Sequence, residues 1–321
     1  MKILIYSFND KIGDGLQKIT FLQKLKEVYP NSLIYYTTSQ TTTLKDKLNP
    51  LVKDIIYEFI EHNKIESSVF SLLKKSNRLS NIRFDLIIDL QKVVLRTLSL
   101  KKIPHLKFFS ASANFLFSDF KNNKNLEFKN IYIEQFYFNI LSIIKNESIN
   151  EIPDMNVPIN NTIPEIKSSR SKNIAIAPGA GNSIRQWKFD NYLEIAKKLR
   201  HRNYNVYFFL GPNEKSFLEL CLNNKFICPE WEKGEIISTD ISFTMNLAKK
   251  MSCLLCNDGG TAWMFEFAGV KTLKLFGVTN EKKFSRPGFS QAIQIKDFGY
   301  KELNDFPISK YEEILYKFLE N

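Results

Sequence analysis

The stretch that decides the fold is Cys253-Leu254-Leu255-Cys256-Asn257-Asp258-Gly259-Gly260-Thr261-Ala262. It predicts a short buried strand, an Asn-Asp-Gly-Gly turn and then a helix that begins with the apolar run from Trp263. Because free N–H groups and the positive end of a helix dipole meet at such a turn, the pattern suits an anion such as a phosphate. Asp258 would add a carboxylate at the strand end, where ligands of open α/β sheets bind. The alternative is an ordinary strand-to-helix turn in which Asp258 or Thr261 is the N-cap.

The same strand–turn–helix pattern recurs throughout the second half of the chain. Apolar runs predict strands at 173–177, 206–210 and 272–276, and helices at 192–199, 217–222, 241–250 and 308–319. The turns at 178–183, 211–214 and 257–261 should therefore lie on the carboxyl edge of one sheet and line a single crevice. The first turn is neither a Walker A loop nor Gly-x-Gly-x-x-Gly, because position 184 is Ile, and this disfavours NTPase and nicotinamide-binding functions.

Three charged side chains next to these turns are candidate ligand contacts. Arg185 and Lys188 follow the first turn and could reach a diphosphate there, or they are solvated cations near a helix start. Glu214 could accept hydrogen bonds from ribose hydroxyls, or it is an ordinary first-turn helix carboxylate.

The first half of the chain predicts a second unit of the same kind. Strands are expected at 2–6, 32–37, 54–60, 85–90 and 106–109, and helices at 16–28, 67–79 and 131–144. Gly13-Asp14-Gly15 marks the start of the first helix, and its two glycines let a partner approach the backbone closely. Asp14 could act as a general base in an interdomain cleft, or it is an N-cap.

Length and proline content predict two domains. The 321 residues exceed one core of about 150 residues, so two are expected. Residues 153–170 contain three prolines without sustained periodicity and form the expected linker, between an N-terminal domain at 1–152 and a C-terminal domain at 171–321. We expect that the last helix, 308–320, could pack back toward the N-terminal domain.

Composition narrows the class of protein and of partner. The net charge of +11 indicates an acidic partner. The chain has no run of five cations, so a dedicated nucleic-acid-binding arm is not expected. The four cysteines lack the spacing of a zinc site, and 253 and 256 should point to opposite faces of a strand, which disfavours a metal or a disulfide and indicates a reducing cytoplasm. No segment is long enough to span a membrane, and the N-terminus reads as a strand rather than a signal peptide.

Taken together, these positions resemble glycosyltransferase family 9, the heptosyltransferases that add heptose to the lipopolysaccharide core. The likeness runs in collinear order through Ile12-Gly13-Asp14-Gly15-Leu16, the segment 84–91 with Arg96 behind it, Pro178-Gly179-Ala180 with Arg185-Gln186-Trp187, Gly211-Pro212-Asn213-Glu214, Asn257-Asp258-Gly259-Gly260, the segment 275–279, and Arg286-Pro287-Gly288.

The resemblance implies an α/β protein of GT-B fold, with two Rossmann-like domains whose parallel sheets face across a central cleft. It implies an inverting, metal-independent sugar transfer in the cytoplasm, without a cofactor. The donor would be a nucleotide-sugar (ADP-heptose), and the acceptor an anionic glycolipid at the inner face of the inner membrane. No nucleic-acid partner is implied. By this resemblance, Asp14 is the general base. The implied acceptor-binding residues are Gly13, Gly15, Gln91 and Arg96. The implied donor contacts are Gly181, Asn182, Ser183, Arg185, Lys188, Glu214, Asp258, Gly259, Gly260, Thr261 and Trp263.

Three departures from the family pattern bear on the donor. Arg185 stands where the family usually has a Lys, which keeps the charge but changes the hydrogen-bond geometry. The family's turn usually reads Asp-Thr-Gly-x-x-His, whereas here Gly259 replaces the Thr and Trp263 stands in place of the His. A different nucleotide-sugar, or a catalytically silent nucleotide-sugar-binding scaffold in envelope assembly, is therefore the alternative interpretation, and a nucleic-acid-binding protein is a more distant one.

Overall fold

The computed structural model describes residues 1–63, 65, 79–149, 151–152, 155–166, 169 and 172–320. The chain divides into two compact units, Met1–Asp154 and Met155–Asn321. The helix expected at 67–79 lies, apart from Leu79, outside the described residues.

The first unit is a parallel sheet with helices. Its elements are β1 (Lys2–Ser7), α1 (Ile12–Val28), β2 (Leu33–Thr38), β3 (Ile56–Ile60), β4 (Phe84–Asp89), α2 (Val94–Leu100), β5 (His105–Ser110) and α3 (Ile133–Lys145). The strand order is β3-β2-β1-β4-β5, and every neighbouring pair is parallel. The apolar run Ile3–Tyr6 is fully buried because β1 is the central strand and is flanked on both sides. The turn that carries Asp14 therefore leaves the middle of the sheet at its carboxyl edge.

The second unit repeats this architecture. Its elements are β6 (Asn173–Ala177), α4 (Phe189–His201), β7 (Asn205–Phe208), α5 (Lys215–Asn223), β8 (Trp231–Glu232), β9 (Glu235–Ile236), α6 (Ile241–Ala248), β10 (Cys253–Asn257), α7 (Gly260–Phe267), β11 (Lys271–Phe276), α8 (Glu281–Phe284), β12 (Ser290–Gln294) and α9 (Ile308–Glu320). Five strands form a parallel sheet in the order β12-β11-β10-β6-β7, and β8 and β9 form a small antiparallel hairpin. Strand β10 is central here, and all five of its residues are buried, as the stretch at 253–262 predicts.

The cysteine side chains follow the alternation of β10. Cys253 and Leu255 belong to the core on one face of the sheet, and Leu254 and Cys256 belong to the core on the other face. The prediction that 253 and 256 point apart is therefore confirmed. All four cysteines are buried free thiols, and burial raises the pKa of Cys253 to about 12.

Several elements differ from the sequence prediction. Helix α1 begins at Ile12, so Gly13, Asp14 and Gly15 belong to its first turn rather than to a preceding loop. Helix α2, strand β12 and the β8–β9 hairpin lack a strong apolar period and were not expected. The apolar face of α9 packs through Tyr311, Leu315 and Phe318 in the core of the second unit, so a return toward the N-terminal domain is not needed to bury it.

Candidate functional site

Three turns meet at the carboxyl edge of the second sheet. Strands β10, β6 and β7 are neighbours, so the turns that follow them are adjacent, as predicted. A Cβ on Gly259 would lie 3.3 Å from the carbonyl oxygen of Gly179, and a Cβ on Gly179 would overlap Oε1 of Glu214. Glycine at these positions therefore lets the three turns contact one another and leaves backbone N–H groups open to a ligand.

Asn257, the last residue of β10, ties these turns together. Its Nδ2 donates to the carbonyl oxygen of Pro178 at 2.7 Å. Its Oδ1 accepts from the Trp187 backbone N–H at 3.2 Å and from the Tyr192 hydroxyl at 3.0 Å. Because the side chain is buried, each of these bonds fixes the turn after β6 relative to the turn after β10.

Arg185 and Asp258 form an ion pair in this edge. Nη1 of Arg185 lies 3.5 Å from Oδ2 of Asp258, with about a third of the arginine side chain exposed and the aspartate nearly buried. The guanidinium is thus held beside the Asp-Gly-Gly turn with donors left to face an incoming anion. Lys188 is exposed at the N-cap position of α4, three residues further along the chain.

The start of α7 is shaped for close approach. Gly259 is the N-cap, with φ −160° and ψ 177°, and no side chain caps the helix. Neither Asp258 nor Thr261 therefore takes the N-cap position that the alternative interpretation assigned to it. Thr261 is half-buried in the first turn, whereas Gly181, Asn182 and Ser183 of the neighbouring turn are exposed. The first N–H groups of α7 can thus be bonded by a ligand rather than by the protein.

Glu214 lies against the glycines of two turns. A Cβ on Gly211 would lie 2.7 Å from Oε2 of Glu214. Burial raises the pKa of this half-buried carboxyl, and a hydrogen bond from the Gly211 backbone acts in the opposite direction. Glu230 lies nearby, and burial together with the charge of Glu214 raises the pKa of its carboxyl to about 7. Glu214 occupies the N-cap position of α5, with oxygens available to accept from hydroxyl groups.

Two hollows open in the second unit. One, of about 500 Å³, lies beside the turn after β6 and is lined by Ser183, Ile184 and Lys301 among others. The other, of about 680 Å³, lies by strand β7 and is lined by Tyr207, Trp231 and the acidic Glu165 and Glu232 among others. The described lining of the first hollow has one cation, Lys301, and one acid, Glu302, whereas that of the second has two acids and no cation, so the first suits a phosphorylated ligand better.

Trp263 does not line the turn as the sequence predicted. Its side chain is 2% exposed and stacks on Phe267 at a centroid distance of 5.9 Å. Nζ of Lys274 lies 4.5 Å from the centre of the indole ring and is paired with Glu266 at 2.8 Å, with both charges fully buried. The indole is therefore part of the packing between α7 and β11, because the helical turn points position 263 inward.

Asp14 lies in the first turn of α1 in the first unit. It is half-buried, and its Oδ2 accepts from the Lys11 backbone N–H at 3.3 Å, so Asp14 is at N3 and not at the N-cap. Beneath it, the buried Lys18 donates to the Asp14 carbonyl oxygen and to Oδ1 of Asp10, each at 2.8 Å. The paired Lys18 charge lowers the pKa of the Asp10 carboxyl despite its burial. This ion pair holds the turn that presents Asp14.

The other acceptor candidates divide into packing and surface positions. Gly15 is buried, and a Cβ there would lie 2.5 Å from Cδ1 of Leu48, so this glycine serves close packing. Gly13 and Gln91 are half-buried. The guanidinium of Arg96 lies 3.6 Å from the centre of the Phe8 ring, and its buried Nε has no hydrogen-bond partner within the described part of the chain.

Asp89, which the sequence analysis did not single out, organises the loop that carries Gln91. Its Oδ1 accepts from the Gln91 backbone N–H at 2.9 Å, and its Oδ2 accepts from the hydroxyls of Thr97 at 2.7 Å and Ser110 at 2.9 Å. Burial raises the pKa of this carboxyl to about 6. A carboxylate that ends a buried strand, as in Asp-Leu-Ile-Ile-Asp, is the signal that could have identified it.

The described residues contain neither a metal-binding cluster nor a membrane-spanning helix. No group of three or more His, Cys, Asp or Glu side chains there is arranged to hold a metal ion. No helix in the same set of residues combines the length and the apolar character that crossing a membrane requires.

Comparisons with known proteins agree with this architecture. The model of the family described as glycosyltransferase family 9 (heptosyltransferase) matches residues 72–313. No curated protein matches the chain. Among solved structures, the fold is similar to E. coli heptosyltransferase WaaC with ADP-2-deoxy-2-fluoro heptose (TM-score 0.66, 11% identity, covering 99% of each chain).

Two further structures share the fold. They are a family 9 glycosyltransferase from Veillonella parvula (TM-score 0.60, 17% identity, covering 99% of this chain and 97% of that one) and E. coli ADP-heptose lipopolysaccharide heptosyltransferase II (TM-score 0.55, 16% identity, covering 99% and 98%). With the two parallel-sheet units, these likenesses confirm the predicted GT-B fold.

Proposed function

Because the chain belongs to glycosyltransferase family 9, the heptosyltransferase family, we propose that it transfers a heptose from ADP-heptose to a hydroxyl of an anionic glycolipid such as a lipopolysaccharide core. The observation that carries the proposal is the meeting of three glycine-containing turns beside Arg185 at one sheet edge. Donors of this kind present a diphosphate, whose charge and oxygen atoms match the guanidinium and the open N–H groups of α7.

Each donor contact has a chemical role in this proposal. Arg185, Lys188 and the N-terminus of α7 supply positive potential to the diphosphate, and Gly259, Gly260 and Thr261 allow its oxygens to reach the backbone. Glu214 accepts hydrogen bonds from the ribose hydroxyls. Gly181, Asn182 and Ser183 form the exposed rim beside the smaller hollow, which we assign to the donor.

The transfer proceeds with inversion and with Asp14 as the base. The acceptor hydroxyl gives its proton to the Asp14 carboxylate as its oxygen bonds to the anomeric carbon. The bond from that carbon to the phosphate oxygen breaks on the opposite face, and its electron pair leaves with ADP. Arg185 and the helix N-terminus stabilise the charge that develops on the leaving diphosphate, so no step requires a metal.

The first unit binds the acceptor in this proposal. Arg96 offers a cation whose buried Nε has no partner among the described residues, and Gln91 offers a neutral amide on the loop held by Asp89. Both follow β4, and Asp14 follows the neighbouring strand β1 at the same carboxyl edge. An anionic glycolipid acceptor places the enzyme at the cytoplasmic face of the inner membrane.

The glycine at position 259 favours an alternative, in which the enzyme uses a different nucleotide-sugar as its donor. The family's Thr at position 259 would offer a hydroxyl, whereas Gly259 offers none and lies against Gly179. A missing hydrogen bond of this kind alters the preference among sugars by about 1–3 kcal/mol. The enzyme would then use the same turns and the same base with a different nucleotide-sugar.

One experiment tests these possibilities together. The protein is incubated with ADP-heptose and with ADP-, UDP- and GDP-linked hexoses, with and without a deacylated lipopolysaccharide core, and released nucleoside diphosphate is measured. Acceptor-dependent release of ADP from ADP-heptose supports the proposal, and release from another donor supports the alternative. Binding of a nucleotide-sugar without release under any condition would leave only the silent scaffold.

A further inference from the structure

More than half of the net positive charge lies in a short segment of the first unit. Residues 92–129 contain eight Lys or Arg residues and two acidic ones, a net of six positive charges against eleven for the whole chain. The same segment contains six Phe residues. Cationic and aromatic side chains are thus concentrated together, and half of them, three lysines and four phenylalanines, belong to the loop 112–129, which we call the aromatic loop.

The aromatic loop projects a leucine from a packed base. It leaves the carboxyl edge of β5 through Ala113, Asn114 and Phe115, which have φ values of 46°, 53° and 66°. Three consecutive residues with Cβ atoms in the left-handed region are unfavourable and persist only where the surroundings hold them. The next residue, Leu116, is 74% exposed.

A chain of aromatic rings provides that hold. Phe115 packs on Phe109 of β5 at a centroid distance of 6.0 Å and on Phe128 at 5.0 Å. Phe128 packs in turn on Phe136 of α3 at 5.4 Å. The loop is therefore anchored to the sheet and to a helix, and the exposure of Leu116 is set by that packing.

Lysines lie along the aromatic loop and on the elements beside it. Nζ of Lys101 donates to the Phe117 carbonyl oxygen at 2.9 Å, and Lys92 donates to the Phe128 carbonyl oxygen. Lys107, Lys121 and Lys129 are exposed on the edge strand and along the loop. The surface therefore combines an apolar tip, half-buried aromatic rings and cations, as protein surfaces do where they lie in the headgroup layer of a membrane.

We propose that the aromatic loop docks on the surface of an anionic lipid bilayer, with Leu116 inserted among the headgroups and these lysines on lipid phosphates. A nucleic-acid surface would use the lysines but would gain nothing from an exposed leucine. The choice of a bilayer also rests on the proposed function, because a glycolipid acceptor is presented at a bilayer. The loop begins at the same sheet edge as Gln91 and Asp14, so docking would bring acceptor headgroups to them.

The test is co-sedimentation of the full-length protein with vesicles that contain no glycolipid. Vesicles of phosphatidylglycerol and phosphatidylethanolamine are compared with phosphatidylcholine vesicles at low and high salt. Leu116→Ser is matched by Ile159→Ser, which changes an 83% exposed residue of the second unit. The triple variant K107E/K121E/K129E is matched by K197E/K249E/K296E, which lowers the net charge equally through exposed lysines of the second unit.

We expect the wild-type protein to bind anionic vesicles only, and to bind them less at high salt. Leu116→Ser should weaken this binding about tenfold, and K107E/K121E/K129E by at least about tenfold, since each surface lysine contributes roughly fivefold. Both controls should bind as the wild type does. Absence of binding, or equal loss in the control variants, would overturn the proposal, as would full retention in Leu116→Ser, which would indicate a surface that recognises charge alone.

Donor release with a lipid-free core separates this proposal from the proposed function. Leu116→Ser should retain that activity, because Leu116 belongs neither to the turns assigned to the donor nor to the turn that carries Asp14. Vesicle binding without any transfer in the wild type would leave docking intact and reject the transferase. Transfer without vesicle binding would leave the transferase function intact and reject the docking proposal.

Discussion

Nη1 of Arg185 lies 3.5 Å from Oδ2 of Asp258, so the cation assigned to the donor diphosphate is paired with a carboxylate of the neighbouring turn. The pair is only partly buried, and its own contribution to folding is therefore small. The ion pair matters more for the binding of a nucleotide. In the proposed donor site, a diphosphate shares the guanidinium with Asp258, so we expect the two residues to have opposite effects on nucleotide affinity.

Arg185→Ala should weaken ADP binding about tenfold to a hundredfold, because charge-assisted hydrogen bonds contribute about 1.5–3 kcal/mol. Isothermal titration calorimetry measures the dissociation constant. Lys197→Ala, which removes an exposed lysine from α4, is the matched control and should bind ADP as the wild type does. An unchanged dissociation constant for Arg185→Ala would remove this residue from the donor site.

Asp258→Asn should tighten ADP binding severalfold, because it removes the negative charge that competes for the guanidinium at a similar side-chain volume. The same calorimetric titration, repeated at high salt, should show the gain shrinking as charges are screened. Asp190→Asn, at an exposed carboxylate of α4, serves as the control. Weaker ADP binding in Asp258→Asn would mean that the carboxylate assists the nucleotide.

Asp14→Asn should lower the turnover number about 10²–10⁴-fold, as expected for loss of a general base. Donor affinity should stay unchanged, because Asp14 belongs to the first unit and its Asn replacement can still accept from the Lys11 N–H. Steady-state transfer kinetics with a calorimetric donor titration separate the two quantities. Asp46→Asn, at an exposed carboxylate of the same unit, should be silent, and near-wild-type turnover in Asp14→Asn would assign the base elsewhere.

Trp263→His, which restores the residue usual in the family, should destabilise the protein by about 2–4 kcal/mol, because it replaces a buried indole by a smaller polar ring. The new imidazole would also lie near the buried Lys274 ammonium. Urea unfolding measures the loss, and Trp263→Phe should cost less because it keeps the ring packed on Phe267. A fully stable Trp263→His protein with altered sugar preference would return position 263 to the donor site.

The Asp89 carboxyl predicts a distinct pH dependence of stability. Burial raises its pKa from 3.8 to about 6, so between these values the folded state binds more protons than the unfolded state. Stability should therefore fall as the pH rises through this window, by on the order of 3 kcal/mol from this group. Urea unfolding at pH 4 to 7 should show a weaker fall in Asp89→Asn than in the Asp46→Asn control, and identical slopes would contradict the assignment.

The fold and the position of the turns can be predicted from the amino-acid sequence alone. Apolar runs of strand length separated by amphipathic helices leave a parallel sheet as the economical arrangement, and its carboxyl edge then gathers the turns at 178–183, 211–214 and 257–261. Local pattern suffices for this, because strand and helix periods are properties of neighbouring residues. The predicted side chains Arg185, Asp258 and Glu214 accordingly lie beside these turns.

Only the tertiary structure decided which side chains face the turns and which are buried behind them. Trp263 is five residues from Asp258 in sequence, yet the rotation of α7 directs its indole into the packing against β11. Lys18 pairs with Asp10, and Lys274 pairs with Glu266. Both lysines lie within apolar stretches, and the sequence does not show which acidic residue each of them meets. Their burial is tolerable because each charge meets an opposite one, and that meeting depends on the assembled fold.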